Sequence, residues 1–380
     1  MNEKEIGEIR RRFRPERNNI TRIRGCYVNE KKEIISEFNQ SLALMSESET
    51  DQLLAILRKT LSGTLDRNLI DIEFSTQQVL EGEAHTRLTS LRSSALEDEE
   101  TVRSFFAQTI EALTMESNYL ILLVSDIYDV PVYRKDGTKE ESTASIFSYI
   151  LCSICPVKLT KSALGYHTNE NRFCNIIQDW AVSAPELGFM FPAFDGREAN
   201  IYNALYYTRN TSENHQEFVE AIFQSDVPMP AAVQKETFGT LLEDVIAEDC
   251  SYDVIRTMHG EICEKIEEYR ANSIDSEPLI MKKDEVKEIL QGCGVSEDRI
   301  KTFEEQFDTE FGEKTELSPK NIIDTKQFEL RTPDVVIRVN PERTDLVSAK
   351  WINGARYILV RADDSVEVNG IHIHIPRQDE

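Results

Sequence analysis

Residues 118–128 read NYLILLVSDIY and residues 145–157 read SIFSYILCSICPV, two runs dense in leucine, β-branched and aromatic side chains. Neither alternates strictly between apolar and polar, which is how a strand wetted on one face reads. Successive side chains of a strand point to opposite faces, so continuous apolarity predicts strands buried on both. Residues 188–194 (GFMFPAF) and 204–209 (ALYYTR) extend the series. Four such runs predict a central mixed sheet flanked by helices. The polar stretch 134–143, with Asp136-Gly137 as its turn, is the expected connection between the first two.

Outward toward the N-terminus, residues 98–115 place Val102, Phe106, Ile110 and Leu113 on one helical face. Residues 49–62 do the same with Leu53, Leu54, Leu57 and Leu61, Ser48 being the expected N-cap and Gly63 the stop. Residues 21–28 (TRIRGCYV) read as a strand that turns at Asn29-Glu30-Lys31-Lys32 into 33–35, and residues 3–14 as a short helix ended by Pro15. Toward the C-terminus, Pro228 and Pro230 mark a break before two helices, 231–247 and 251–271. The second carries the stripe Tyr252, Ile255, Met258, Ile262, Ile266 and Tyr269. A polar linker follows at 272–277, then a short strand at 279–281 and helices over 284–290 and 296–311, broken at Gly292-Cys293-Gly294. Strands are expected over 327–331, 335–339, 346–352, 357–361 and 366–375. Asn353-Gly354 and Asn369-Gly370 are type I′ hairpin signals between them. The fold class is therefore α/β or α+β. The expected organisation is an N-terminal α/β domain over 1–228, a two-helix connector over 229–275 and a C-terminal α+β module over 276–380 ending in an antiparallel meander. A chain of 380 residues is long enough for more than one core.

Several phrases, taken in order, carry a resemblance: ITRIRGCYV, LRKTLSGTL, NYLILLVSDIYDVP, YILCSICPVKL and TPDVVIRVNPERTDL. Together they resemble a bacterial protein family known as a domain of unknown function, along nearly the whole chain. The resemblance implies a bacterial, intracellular protein and transfers no activity, cofactor or site.

Charge is distributed unevenly. The net charge is −25. Residues 1–24 nevertheless hold Lys4, Arg10, Arg11, Arg12, Arg14, Arg17, Arg22 and Arg24 against Glu3, Glu5, Glu8 and Glu16, a net of +4, which leaves −29 on the remainder. An acidic body disfavours free duplex DNA as a partner, whereas a short arginine-rich segment attracts anions. No stretch approaches the ~20 apolar residues of a membrane span, and Met-Asn-Glu-Lys-Glu is not the start of a secretory signal, so a cytoplasmic protein is expected. The seven cysteines are scattered and odd in number, which predicts free thiols.

Phosphate-loop, dinucleotide, zincin and nucleophile-elbow motifs are all missing from the sequence. Cys152 and Cys155, with His167 and Cys174 downstream, spell a zinc-like spacing, but residues three apart on a strand point to opposite faces, so buried thiols are expected. His372 and His374 share a face of the last strand, as alternation on a half-exposed strand requires. Asp126, Asp129 and Asp195 follow apolar strands. Such carboxylates hold Mg²⁺ in hydrolases and nucleases, and Asp is equally the ordinary turn residue at a strand end. No cofactor is expected, Mg²⁺ entering only under that alternative. Arg10, Arg11, Arg12, Arg14 and Arg17 admit two readings. They clamp an amphipathic helix, with Ile6, Ile9 and Phe13 inward, onto the acidic body; or they contact a protein or ribonucleoprotein partner. The preferred function is non-catalytic binding or regulation through such contacts.

Overall fold

The structure, a computed structural model, describes residues 1–133, 139–169, 171–176, 178–246, 249–272, 279–312, 317–325, 327–362 and 366–373. The chain divides into two compact units, Met1–Ala232 and Val233–Glu380. The first unit runs α1 (Glu3–Arg10), β1 (Arg22–Val28), β2 (Ile34–Ser41), α2 (Glu47–Lys59), β3 (Leu69–Glu73), α3 (Thr76–Glu81), α4 (Glu83–Ser93) and α5 (Glu99–Ala112). Then come β4 (Tyr119–Tyr133), β5 (Lys139–Leu159), β6 (Ala163–His167), β7 (Arg172–Ile176), β8 (Trp180–Val182), β9 (Leu187–Phe191), β10 (Ala193–Asp195), β11 (Glu198–Asn200), β12 (Asn203–Thr208) and α6 (Gln216–Phe223). Helix α7 (Ala231–Ile246) leads into the second unit.

The main sheet has the order β2-β1-β4-β5-β9-β12-β3, with β8 beside β5. Each pairing is antiparallel, so the mixture expected from the sequence lies between helices and strands, not between strand directions. The run at 118–128 is the core of β4, and the run at 145–157 the core of β5. Pairing between them continues outward to Tyr133 and Lys139, so the connector is shorter than its polarity suggests. The Asp136-Gly137 turn lies outside the described residues.

Both faces of the sheet's central strands β4, β5 and β9 are covered, as the continuous apolar runs require, while β2 and β8 are largely exposed. One face takes Tyr119, Ile121 and Leu123 of β4, Ile150, Cys152 and Ile154 of β5, and Phe189 of β9, beneath α4, α5 and α6. The other takes Leu122 and Val124 of β4, Phe147, Tyr149, Leu151 and Cys155 of β5, and Met190, beneath α1 and α2. Burial of one such side chain contributes about 1.5–3 kcal/mol. Cys152 and Cys155 therefore enter different cores, as period two demands, and both are free thiols. Burial pushes the Cys155 thiol up to about 12 and the Cys152 thiol well above its ordinary value.

Helix α2 begins earlier than expected. Ser46, not Ser48, is its N-cap, because Ser46 and Glu49 close a reciprocal capping box. Where α2 ends, the Thr60 hydroxyl meets that of Ser153 at 2.6 Å inside the core. Gly188 of β9 sits against this contact, its missing Cβ leaving room for both Thr60 and the β5 backbone.

The second unit continues with α8 (Tyr252–Asn272), α9 (Lys283–Gly292), α10 (Glu297–Phe311) and α11 (Pro319–Ile322). Its last elements are β13 (Phe328–Arg331), β14 (Val336–Val339), β15 (Val347–Ile352), β16 (Ala355–Val360), β17 (Val366–Val368) and β18 (Ile371–Ile373). The helices expected as a connector share one core with their successors: Phe238, Leu242, Met258 and Ile262 pack with Ile289, Ile300, Phe303 and Phe307. The expected meander resolves into three separate antiparallel pairs, β13-β14, β15-β16 and β17-β18. No helix among the described residues is long and apolar enough to cross a membrane.

Both Asn-Gly dipeptides form the turns that their chemistry implies, with φ of 49° and 78° at Asn353 and Gly354, and 51° and 82° at Asn369 and Gly370. A β-branched residue resists that region by about 1–2 kcal/mol. Gly354→Val is accordingly expected to loosen the β15-β16 pair. Amide hydrogen exchange in Val347–Ile352 should speed up by roughly tenfold for that cost. Unchanged protection there would contradict the turn assignment.

Candidate functional site

The N-terminal segment is where the charge anomaly becomes geometry. Asn2 caps α1 through a capping box with Glu5, and Ile6, Ile9, Phe13 and Ile20 are buried in the core beneath the sheet. The helix stops after Arg10, and the chain then crosses β4 near Asp126. Leu122, Val124 and Asp126 alternate onto the same face of β4, so the carboxylate follows two core side chains into the interior. Asp126 is only 1% exposed.

Four donors meet that carboxylate. Arg12 donates from Nε to Oδ2 and from a terminal nitrogen to Oδ1, both at 3.1 Å. The backbone N–H of Asn19 donates to Oδ1 at 2.7 Å, and the Tyr149 hydroxyl to Oδ2 at 2.9 Å. Burial, and then the facing carboxylate, push the Tyr149 phenol well above its ordinary range, so it stays a donor. The Arg12 guanidinium also donates to the Ile127 carbonyl at 3.1 Å and lies 4.7 Å over the Tyr128 ring. Glu8, one turn earlier, accepts from the Tyr128 hydroxyl at 2.6 Å and from Arg197 at 3.0 Å. Arg197 in turn donates to the Pro131 carbonyl at 2.9 Å. The segment is thus stapled to the β4-β5 pair by a partly buried polar network centred on Asp126.

The remaining arginines divide. Arg24 turns inward and makes a two-pronged pair with Glu99, both contacts at 2.8 Å, which holds the Glu99 carboxyl below its usual range. Arg10, Arg11, Arg14 and Arg17 are exposed and make no ion pair with any described residue. Of the five arginines singled out in the sequence, one is spent on the protein's own interior and four face solvent.

The three aspartates of the alternative reading are not brought together. Asp126 is buried among Arg12, Asn19 and Tyr149. Asp129, three residues on, is exposed on the opposite face of β4. Asp195 stands on β10, accepting from Asn200 at 3.4 Å. Among the described residues no three of His, Cys, Asp and Glu gather in a way that could hold a metal ion. His372 is exposed on β18, while His374 lies outside the described residues.

The whole of this arrangement, from α1 to β17, falls within residues 1–371, which match the family model described as Domain of unknown function (DUF4317). The chain belongs to this family. The DUF4317 match takes in both the arginine segment and the strands to which it is stapled. No curated protein matches the chain.

Sequence reasoning did not find Glu8, Asn19, Tyr128, Tyr149 or Arg197, all of which serve the DUF4317 staple. A signal was present for the centre of it. Alternation places one charged residue, Asp126, on a strand face otherwise occupied by Leu122 and Val124, and a buried carboxylate has to find a cationic partner.

Proposed function

We propose that the chain is a non-catalytic intracellular binding protein of bacterial type, which docks an anionic protein or ribonucleoprotein partner on Arg10, Arg11, Arg14 and Arg17. The observation that carries this reading is their state: four exposed guanidinium groups without an ion pair among the described residues, on a chain of net charge −25. Acidic side chains outnumber basic ones 68 to 43, and still these four are unmatched. Arg12, one position away, shows what a matched arginine looks like in this segment. Its anchorage fixes the backbone from which its neighbours project, so the face is held in one shape before a partner arrives. A preorganised set of forked donors suits carboxylate or phosphate oxygens.

Replacing Arg10, Arg11, Arg14 and Arg17 together with Gln is expected to leave the melting temperature within about 2 °C, because exposed charges contribute little to stability. The same variant should lose the partner. For single-stranded RNA the affinity of the unaltered chain should fall with the logarithm of salt with a slope near −3, about 0.7 for each of the four contacts. An acidic polypeptide probe, poly-glutamate, separates a carboxylate partner from a phosphate one. A variant that binds and co-purifies as the unaltered chain does would overturn the proposal.

A further inference from the structure

Helix α8 carries a thiol and an imidazole one turn apart that the docking face does not involve. Cys263 follows His259 by four residues, so both project from the same side of the helix. His259 is 7% exposed, and its Nε2 lies 2.9 Å from the Asp324 carbonyl oxygen just beyond α11. A carbonyl oxygen only accepts, so Nε2 carries the proton and donates it. In the neutral ring the lone pair then resides on Nδ1. That atom lies 3.7 Å from the Cys263 Sγ, within reach of a thiol hydrogen bond. The imidazole is also held edge-on against Phe328, with ring centroids 5.1 Å apart. Its tautomer and orientation are therefore set without the thiol. Cys263 itself is half-buried at the margin of the second unit's core, whereas Cys26, Cys152 and Cys155 are sealed inside the first.

We infer that His259 and Cys263 form an imidazole–thiol dyad, and that Cys263 is a site of covalent modification by low-molecular-weight disulfides. The thiol proton passes to Nδ1, and the Asp324 carbonyl stabilises the resulting imidazolium through Nε2–H. The thiolate attacks one sulfur of the disulfide. A new S–S bond forms to Cys263 as the old one breaks. Its electron pair leaves on the other sulfur, which takes the proton back from His259. Cys263 is oxidised and the departing sulfur reduced, with no further oxidant. Cys293 shows the contrast, since it is also half-buried but its Sγ faces the Val254 carbonyl at 3.9 Å. An acceptor of that kind cannot take the proton away, and burial raises the Cys293 thiol above its ordinary value.

The test treats the full chain with hydroxyethyl disulfide near pH ~7 and locates the adduct by peptide mass spectrometry over time. The first adduct is expected at Cys263, forming at least about tenfold faster than at Cys293. Cys263→Ser should abolish the fast phase. His259→Asn should slow Cys263 by about tenfold while leaving Cys174, on β7 of the first unit, at its original rate. If His259→Asn unfolds the second unit, Cys250 and Cys293 become labelled faster as well, and the Cys263-to-Cys293 ratio in the unaltered chain decides. A ratio near one there would overturn the inference, as would a folded His259→Asn variant that reacts at the unaltered rate.

Discussion

Asp126→Ala is expected to lower the unfolding free energy by about 3–5 kcal/mol, because it removes one partner of a buried ion pair and leaves the other behind. The Arg12 side chain is 14% exposed, and without the carboxylate its charge faces the interior unmatched. The Asn19 N–H and the Tyr149 hydroxyl lose their acceptor at the same time. Urea denaturation at constant slope measures the loss. Asp126→Asn keeps one acceptor oxygen and should be milder, and a double-mutant cycle with Arg12→Gln should show coupling of at least about 1 kcal/mol. A loss below about 1 kcal/mol for Asp126→Ala would mean that the carboxylate is hydrated and the staple loose. This experiment also isolates Arg12 from its neighbours: its replacement is expected to act on stability, and that of Arg10, Arg11, Arg14 and Arg17, under the proposed function, on binding.

Gly188→Ala should cost about 3 kcal/mol, at the upper end of what overpacking a core does. A Cβ there would stand 2.3 Å from the Cys152 carbonyl oxygen and 2.7 Å from the Thr60 Cγ2. A side chain can rotate away; a paired strand cannot without giving up its ladder. Gly188 is opposite Ser153 in the β5-β9 register, so the clash falls in the middle of the sheet. Thermal denaturation of the single variant measures the effect. Thr60→Ser removes only the methyl contact, so adding it should rescue little. Full recovery in the double variant would show that the side chain, not the backbone, sets the limit.

Much of the architecture was legible because it rests on local rules. The apolar runs at 118–128 and 145–157 became doubly covered strands, since only two-sided burial tolerates such a sequence. The Asn-Gly turns formed because few dipeptides accept two positive φ angles at low cost. Residues 64–97 were not legible at all. They contain β3, α3 and α4, and β3 is a five-residue strand whose place is set by pairing with β12, some 130 residues later. Pairing partners at that distance leave no periodicity to read. The candidate site was half legible for a related reason. The arginines announced themselves by charge, but which of them turns inward depends on Asp126 and Tyr149, which only the folded sheet places nearby.

The staple also orders events during synthesis. Arg12 leaves the ribosome long before its acceptor, and Tyr149, the last donor to Asp126, follows it by 137 residues. At about 5–20 residues per second that interval is roughly 7–27 s. Throughout it Arg12 lacks the completed Asp126 site that holds it, and only closure of the β4-β5 pair anchors the segment. Anchorage of the arginine segment is thus a late event, which follows the building of the sheet behind it.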